Sequence, residues 1–482
     1  MALFAPMGGA SGPRPTGGAA HDEFETNISG NGSNLNAGEP EIAINPLNPK
    51  QMWMDGATFP TPLTLGGSSP LPSTCQGWSS DDAGQTWQPA PLPQDPQFAK
   101  GSSSVCNEDG VAIFGPDGTL YAGGDTATST IVDPSCAPGD LHFAGLCIQI
   151  HGFDPVLVSH DGGHTWGTPV YTMGSKNLGT FPFAAGSGSP SDTFDRPWLA
   201  VDQSTNTIYA AGHNIADHEG FVTASTDEAT SFGAIYAVDS PAYPSGGLDG
   251  STIAAAHGNL AVTYTAAAAP GVSCPCVIFE TSTDHGATFT RHVVPTQNAA
   301  HTPSPFVAAD PTEKGHYALT VLDATGTQNE VYTTDDSGET WHGPTLVADA
   351  PANQRFKPWL AYSPSGQLML VWRTWHGTPQ TSPYDVWLAV GRDEGRHGTV
   401  FGAPIRVSTV AASYPPPGVG AGQYEAGDDF SFVIASKTHI YVGWGDSRNV
   451  AVESNGTTIR EGGGVQIWMA RLSSHSSEGD DR

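Results

Sequence analysis

Short runs in which apolar residues alternate with small or polar ones, separated by Gly, Pro, Asn and Asp, fill the chain almost from end to end. A period of two with breakers at this density predicts strands, not helices. The runs come in sets of three. In one set RPWLAVD (from Arg196) is followed by a polar turn, then TIYAAGH (to His213), then GFVTAS. Seven such sets can be counted, with first strands starting near Glu41, Asp109, Arg196, Asp249, Pro305, Lys357 and Asp429. Their second strands end near Asp55, Asp125, His213, Tyr264, Asp323, Arg373 and Asp446. The last set stops at VQIWMARLSS, its third strand, and FETNIS (from Phe24) can supply the fourth from ahead of the first set. That exchange removes two exposed sheet edges. The expected fold is all-β, a single β-propeller of about seven four-stranded antiparallel blades over residues 23–474, or six if one set is misread. Residues 1–22 read as a flexible N-terminal segment and 475–482 as a polar C-terminal tail.

A second pattern follows the third strand, with the form Ser/Thr-x-Asp-x-Gly-x-Thr-Trp/Phe. It reads SDDAGQTW from Ser80, SHDGGHTW from Ser159, STDHGATF from Ser282 and TDDSGETW from Thr334. A worn copy, STDEATSF from Ser225, has Ala229 in place of Gly, and GRDEGRH around Asp393 is a sixth relic. The aspartates are spaced by 79, 66, 57, 52 and 57 residues, which suits a repeated supersecondary unit with loop insertions. As a hairpin turn, the motif asks Asp to accept hydrogen bonds from the turn's own N–H groups and Gly to take a positive φ. These aspartates are read as structural, not as catalysts or calcium ligands.

Composition then narrows the function. Of 482 residues, 18 are Lys or Arg and 48 Asp or Glu, for a formal charge of −30, so phosphate-mediated nucleic-acid binding is disfavoured. The 12 Trp, 19 Phe and 13 Tyr are enough to build a core, which excludes an acidic disordered chain. No apolar run is long enough for a membrane-spanning helix, and MALFAPMGGASGPRP lacks the basic start of a signal peptide. Six Cys in a chain rich in Gly, Ser and Thr lean toward an oxidising compartment. Cys75–Cys106 and Cys136–Cys147 are the favoured pairs, leaving Cys274 and Cys276 as a CPC pair. The reading is an exported, monomeric protein, secreted or periplasmic, with no cofactor and no membrane partner. A structural calcium would suit so acidic a surface, although no loop has EF-hand spacing.

The turn motif resembles the Asp-box (BNR) repeat of the sialidase superfamily, over nearly the whole chain. The resemblance implies a propeller and leaves activity open, since Asp boxes also occur in lyases, xyloglucanases, sorting receptors and assembly factors. Strands one and three of a blade run parallel, so strand-one entrances and strand-two exits share the face opposite the Asp turns. That face collects Glu41, Glu108, Asp109, Asp195, Arg196, Asp249, Arg355, Lys357, Asp428 and Asp429 at entrances. At exits it collects Asp55, Asp125, His213, Asp323, Arg373, Trp375, His376, Asp446 and Arg448, so that four of the chain's 12 Arg fall there. Loops Thr58–Thr74, Thr126–Leu146 and Thr409–Gly427 are expected on the same rim.

Sialidases grip a sugar carboxylate with three arginines, use an Asp as acid/base and a Tyr nucleophile activated by a Glu. By resemblance Arg196, Arg373 and Arg448 form the triad with Arg355 in reserve, and Asp125 or Asp55 is the acid. Trp375 is expected to be exposed for stacking on a sugar, and Tyr424 with Glu425 to form the nucleophile pair. The family's Phe-Arg-Ile-Pro motif is absent, although DRPW (from Asp195) offers an Arg-Pro, and Phe430 stands where the Tyr is expected. Glu425, Asp428 and Asp429, with Asp446 on the same face, offer two-carboxylate hydrolysis instead. The leading expectation is a sialidase-like glycoside hydrolase acting on an acidic or complex glycan. Its rivals are a non-catalytic glycan- or protein-binding propeller, and a polysaccharide lyase with His213 or Tyr424 as base.

Overall fold

In a computed structural model the strand sets fold into seven antiparallel sheets arranged as a seven-bladed β-propeller. The structure describes residues 22–30, 36–59, 63–64, 74–93, 106, 108–132, 141–143, 146–174, 194–214, 219–246, 252–296, 305–347, 353–378, 382–393, 398–412, 431–449, 458–459 and 465–474. The innermost strands, in chain order, are Asn36–Ile44, Glu108–Phe114, Phe194–Asp202, Thr252–Ala256, Phe306–Ala309, Arg355–Tyr362 and Ser431–Ala435. Each contacts the next and the seventh contacts the first, so the ring is closed. Blades are numbered one to seven in that order.

Closure comes from the N-terminus, as the sequence pattern anticipates. Asp22–Asn27 is the outermost strand of blade seven, paired antiparallel with Gln466–Ser473. Side chains fasten the pair: the Arg471 guanidinium lies 4.4 Å from the Phe24 ring centre, and Asn27 Nδ2 donates to Gln466 Oε1 at 2.6 Å. The middle strands are buried throughout, as in Thr207–Asn214, Asn259–Ala266, Tyr317–Leu322 and Leu368–Trp375. A blade has neighbours on both faces, so a strand that alternated in polarity would bury polar side chains against the next sheet. These strands read as near-continuous apolar or small-residue runs for that reason.

The Asp turns share one geometry across five blades. In blade two Ser159 Oγ donates to Asp161 Oδ1, which also accepts from the Thr165 N–H at 2.8 Å, while Thr165 Oγ1 donates to Asp161 Oδ2 at 2.6 Å. Burial is the largest single influence and works against the charge, but the bonds from Thr165, Ser159 and His164 together outweigh it and hold Asp161 down at about 2. Two consecutive residues take positive φ, Gly162 (74°) and Gly163 (93°), and the second meets the preceding blade. A Cβ on Gly163 would lie 2.3 Å from the Trp53 ring of blade one, and one on Gly338 2.7 Å from Phe279 of blade four. Trp166 and Trp341, the motif aromatics, pack edge-on to those same rings at 5.1 and 5.0 Å. In the worn copy Ala229 still adopts φ 56° and packs with Tyr121 and Val156 of blade two. The motif therefore staples each blade that carries it to the one before.

Two expectations on the rim change. Within Thr126–Leu146, residues 126–132 and 141–143 are strand, because Leu120–Val132 and Leu146–Ser159 pair antiparallel and their Thr-, Ile- and Val-rich sequences favour extended backbone. Within Thr58–Thr74, Leu63–Thr64 pairs with Thr458–Ile459. Cys75–Cys106 and Cys274–Cys276 are disulfides, and the Cys136–Cys147 pairing lies outside the described residues.

Gly163→Ala should cost roughly 2–4 kcal/mol, from left-handed strain plus overpacking against Trp53. Denaturant unfolding measures it, and a cost within a few tenths would mean that the turn does not brace the neighbouring blade.

Candidate functional site

At the face opposite the Asp turns, four innermost strands carry the same irregularity. Their pairing slips between Gly38 and Glu41, Glu108 and Val111, Asp195 and Trp198, and Phe356 and Trp359. In each slip two residues oppose one, a β-bulge that re-aims side chains. The first bulge residue is charged and left-handed: Glu39 (φ 55°), Asp109 (47°), Arg196 (54°) and Lys357 (50°). The next is Pro40, Gly110, Pro197 and Pro358. Proline suits a bulge because no ladder N–H is needed, yet it disfavours helical backbone in the residue before it. Strain of this kind, about 1–3 kcal/mol per residue, marks positions that the surroundings over-determine.

The bulges of blades one to three touch in series. The Asp109 N–H approaches Glu39 Oε2 at 3.4 Å, and Arg196 Nη1 lies 3.6 Å from Asp109 Oδ1. They ring a shallow recess lined by Glu39, Pro40, Glu41, Asp109, Gly110, Val111, Arg196, Pro197, Trp198, Trp359 and Phe432. Aromatic rings from blades three, five, six and seven pack together beside it: Trp198–Trp359 at 5.2 Å, Phe306–Trp359 at 4.5 Å and Trp359–Phe432 at 4.8 Å between centres.

Two carboxyls behind this mouth lack a counter-charge. Glu41, 9% exposed, faces Asp55, 0% exposed, across the first strand pair of blade one. Burial and then the neighbouring Asp55 push Glu41 well above the ordinary carboxylate range, and burial does the same to Asp55. Neither Asp55 oxygen accepts a hydrogen bond of ordinary geometry, and a Cβ on Gly110 in the recess wall would lie 2.9 Å from its carboxyl carbon.

The arginines expected to act together occupy three separate settings. Arg196 is at the recess, with 17% of its side chain exposed. Arg373 is buried between blades six and seven, donating through Nε to Ser431 Oγ at 2.8 Å and lying over Phe356 and Tyr384. Arg448 points to the outer strands of blade seven. It forms ion pairs with Glu25 and Asp446, both at 2.6 Å, and stacks on Trp468. Asp446 is fully buried and also accepts from Trp444 Nε1, so its oxygens are engaged. Arg355 is buried against Trp372, donates to Gln328 Oε1, and burial pushes its guanidinium down to about 10. Asp125 and His213 are buried at the exits of their strands, beside Glu108 and Asp195 in register. Trp375, expected to be exposed, is 4% exposed, because Phe356 stacks on it at 4.3 Å and Tyr384 packs against its edge. Tyr424, Glu425, Asp428, Asp429 and Phe430 lie outside the described residues. Glu39, Trp198, Trp359 and Phe432 went unnoticed in the sequence. The signal that marks the bulges is a charged residue immediately before Pro or Gly at the head of a first strand.

No family model and no curated protein matches this chain. Among solved structures, a protein of unknown function from Dyadobacter fermentans is 12% identical, with 95% of this chain and 100% of that chain covered and a TM-score of 0.52, a likeness of fold. An alpha-L-arabinofuranosidase of Fusarium graminearum, solved with arabinobiose, is 16% identical over 73% and 92% of the two chains, TM-score 0.43. A leech intramolecular trans-sialidase is 12% identical over 94% and 70%, TM-score 0.42.

Between the ordinary carboxylate range and their raised values, Glu41 and Asp55 hold protons in the folded state that the unfolded chain releases. Their contribution to stability is therefore fully present at low pH and is lost as pH rises through that window. Asp55→Asn should be increasingly stabilising relative to the natural chain from about pH 5 to 8. Melting temperatures of both proteins across that range test this, and a gap that stays constant or narrows would refute the buried acid pair.

Proposed function

We propose that the protein is a carbohydrate-active propeller, a glycoside hydrolase working at the bulged mouth of the central channel. One observation carries the reading: Glu41 is a carboxyl whose proton affinity burial and the neighbouring Asp55 raise well above the ordinary range, and it lies on the wall of the recess. Glycoside hydrolysis needs one carboxyl that still holds a proton near neutral pH and a second that is charged. Glu41 is the proton donor and Asp55 the residue that tunes it. Asp109, ion-paired to Arg196 on the same wall, is the charged partner, acting as base or nucleophile. Trp198 and Trp359 offer ring faces for a sugar.

This assignment keeps the acid on blade one, beside the expected Asp55, and moves the nucleophile or base from blade seven to Asp109 of blade two. The exo-sialidase version, with Arg196, Arg373 and Arg448 holding a sugar carboxylate, is supported less well, since Arg448 already serves Glu25 and Asp446. Tyr424 with Glu425 stays the nucleophile pair of that version. The two disulfides among the described residues support an oxidising, extracytoplasmic setting. A non-catalytic glycan-binding propeller is the second reading, favoured by the smallness of the recess against ordinary ligand pockets.

An aryl-glycoside and oligosaccharide panel should reveal turnover. Glu41→Gln, which replaces a neutral acid by a neutral amide of the same shape, should lower kcat by about 10²–10⁴ with little change in melting temperature. Binding without turnover on the whole panel, or full activity in Glu41→Gln, would remove the hydrolase assignment.

A further inference from the structure

We propose that the Cys274–Cys276 disulfide is a thiol–disulfide exchange site, a reversible two-electron centre that an external dithiol reduces while the propeller stays folded. The inference is independent of the carbohydrate reading. Both described disulfides stand on the side of the mouth, where third strands begin: Cys75 in Thr74–Ser80 of blade one and Cys276 in Cys276–Ser282 of blade four. They differ in what they hold. Cys75–Cys106 has a sequence separation of 31 and ties blade one to the segment that enters blade two. Its cysteines are 6% and 0% exposed, and the Cys75 N–H donates to the Cys106 carbonyl at 2.9 Å. Cys274–Cys276 has a separation of 2, within one loop of one blade. A cross-link stabilises mainly by restricting the unfolded chain, and a link this short restricts it little. The ladder already holds the loop, since Cys276 pairs with Ala266 and the Ala267 N–H donates to the Pro244 carbonyl at 2.9 Å. The fold therefore does not depend on this bond.

The setting suits exchange, whose rate follows access to the attacked sulfur. Pro270, Gly271, Val272, Ser273 and Pro275 are exposed, and a Cβ added to Gly271 would meet nothing within 4 Å, so the loop stands clear of its blade. The two sulfurs are unequal. Cys274 is half-buried, whereas Cys276 is 6% exposed and fixed in the third strand. That difference orders the chemistry. The incoming thiolate attacks Cys274 Sγ, the S–S bond breaks, and its electron pair leaves on Cys276 Sγ, which takes a proton. The partner's second thiolate then attacks the partner's own sulfur in the mixed disulfide and displaces Cys274, which is protonated in turn. The partner ends as a disulfide and the protein as a dithiol. Cys276 remains anchored close to Cys274, so it is the resolving thiol when the reaction runs backward.

The test is timed reduction of the folded full chain by dithiothreitol, with acid quenching, alkylation and mass mapping of the cysteine peptides. Cys274–Cys276 should open at least about tenfold faster than Cys75–Cys106, with the circular dichroism unchanged, and should close again when oxidised dithiothreitol is added. In Cys276→Ser, Cys274 should take up one glutathione from glutathione disulfide at least about tenfold faster than Cys276 does in Cys274→Ser. The double variant Cys274→Ser/Cys276→Ser should melt within about 2 °C of the natural chain. Opening of both disulfides at one rate, or opening of Cys274–Cys276 only as fast as the whole protein unfolds, overturns the proposal. Equal labelling of the two single variants removes the assigned order of attack and the exchange mechanism with it. A large fall in the melting temperature of the double variant would make the bond a structural staple and overturn the proposal as well.

Discussion

The pairing of Asp22–Asn27 with Gln466–Ser473 is the constraint on which the rest of this structure depends. A ring of twisted sheets buries its middle strands only if it closes, since an open ring would leave two blade faces in water. Closure also brings residues from distant parts of the chain to one recess: Glu39 from blade one, Arg196 from blade three and Phe432 from blade seven. The closing strand does electrostatic work too. Its Glu25 holds Arg448, which in turn neutralises Asp446 in the interior of blade seven. Any loosening of the N-terminal strand would thus expose sheet edges and strand a buried carboxylate in the same event.

The two faces of the ring treat the same side chain in opposite ways. On one face Asp161 and its equivalents sit near solvent, take several hydrogen bonds within a tight turn, and are held strongly acidic. On the other, Asp55 is sealed in without such bonds and is pushed toward its neutral form. The first arrangement gains stability from charge and the second gives some away. The bulges add to that loss, because Glu39, Arg196 and Lys357 hold left-handed backbone although each precedes a proline. Five staples of Asp-turn type, spread around the far face, brace the scaffold that carries this strain.

Much of the fold was legible because its determinants are local. Period-two runs, breakers and the Asp-Gly turn each act within a few residues, and the closing strand follows from counting three strands where four are needed. The two faces were legible too, since strand direction alternates, and Glu41, Asp55, Asp109 and Arg196 all fall on the rim that topology assigns them. What the chain order did not carry is which way a rim side chain turns. Trp375 turns inward because Phe356, opposite Arg373 in the next strand, offers a stacked partner. Arg448 turns outward because Glu25 arrives from the far end of the chain. Both outcomes rest on contacts set only once the blade is assembled.

Scarcity of cations gives the mouth its character. With 18 Lys and Arg against 48 Asp and Glu, the acids compete for few partners, and four guanidinium groups among the described residues pair with them. Arg448 serves Glu25 and Asp446, Arg291 serves Glu280, Arg406 serves Asp385, and Arg196 serves Asp109. Each pairing lessens a desolvation cost that a lone buried carboxylate would impose. Glu41 and Asp55 receive no such partner. Their remaining route to neutrality is to keep a proton, and burial favours that form in both. A structural surplus of acid therefore leaves a carboxyl of raised proton affinity at the wall of the recess.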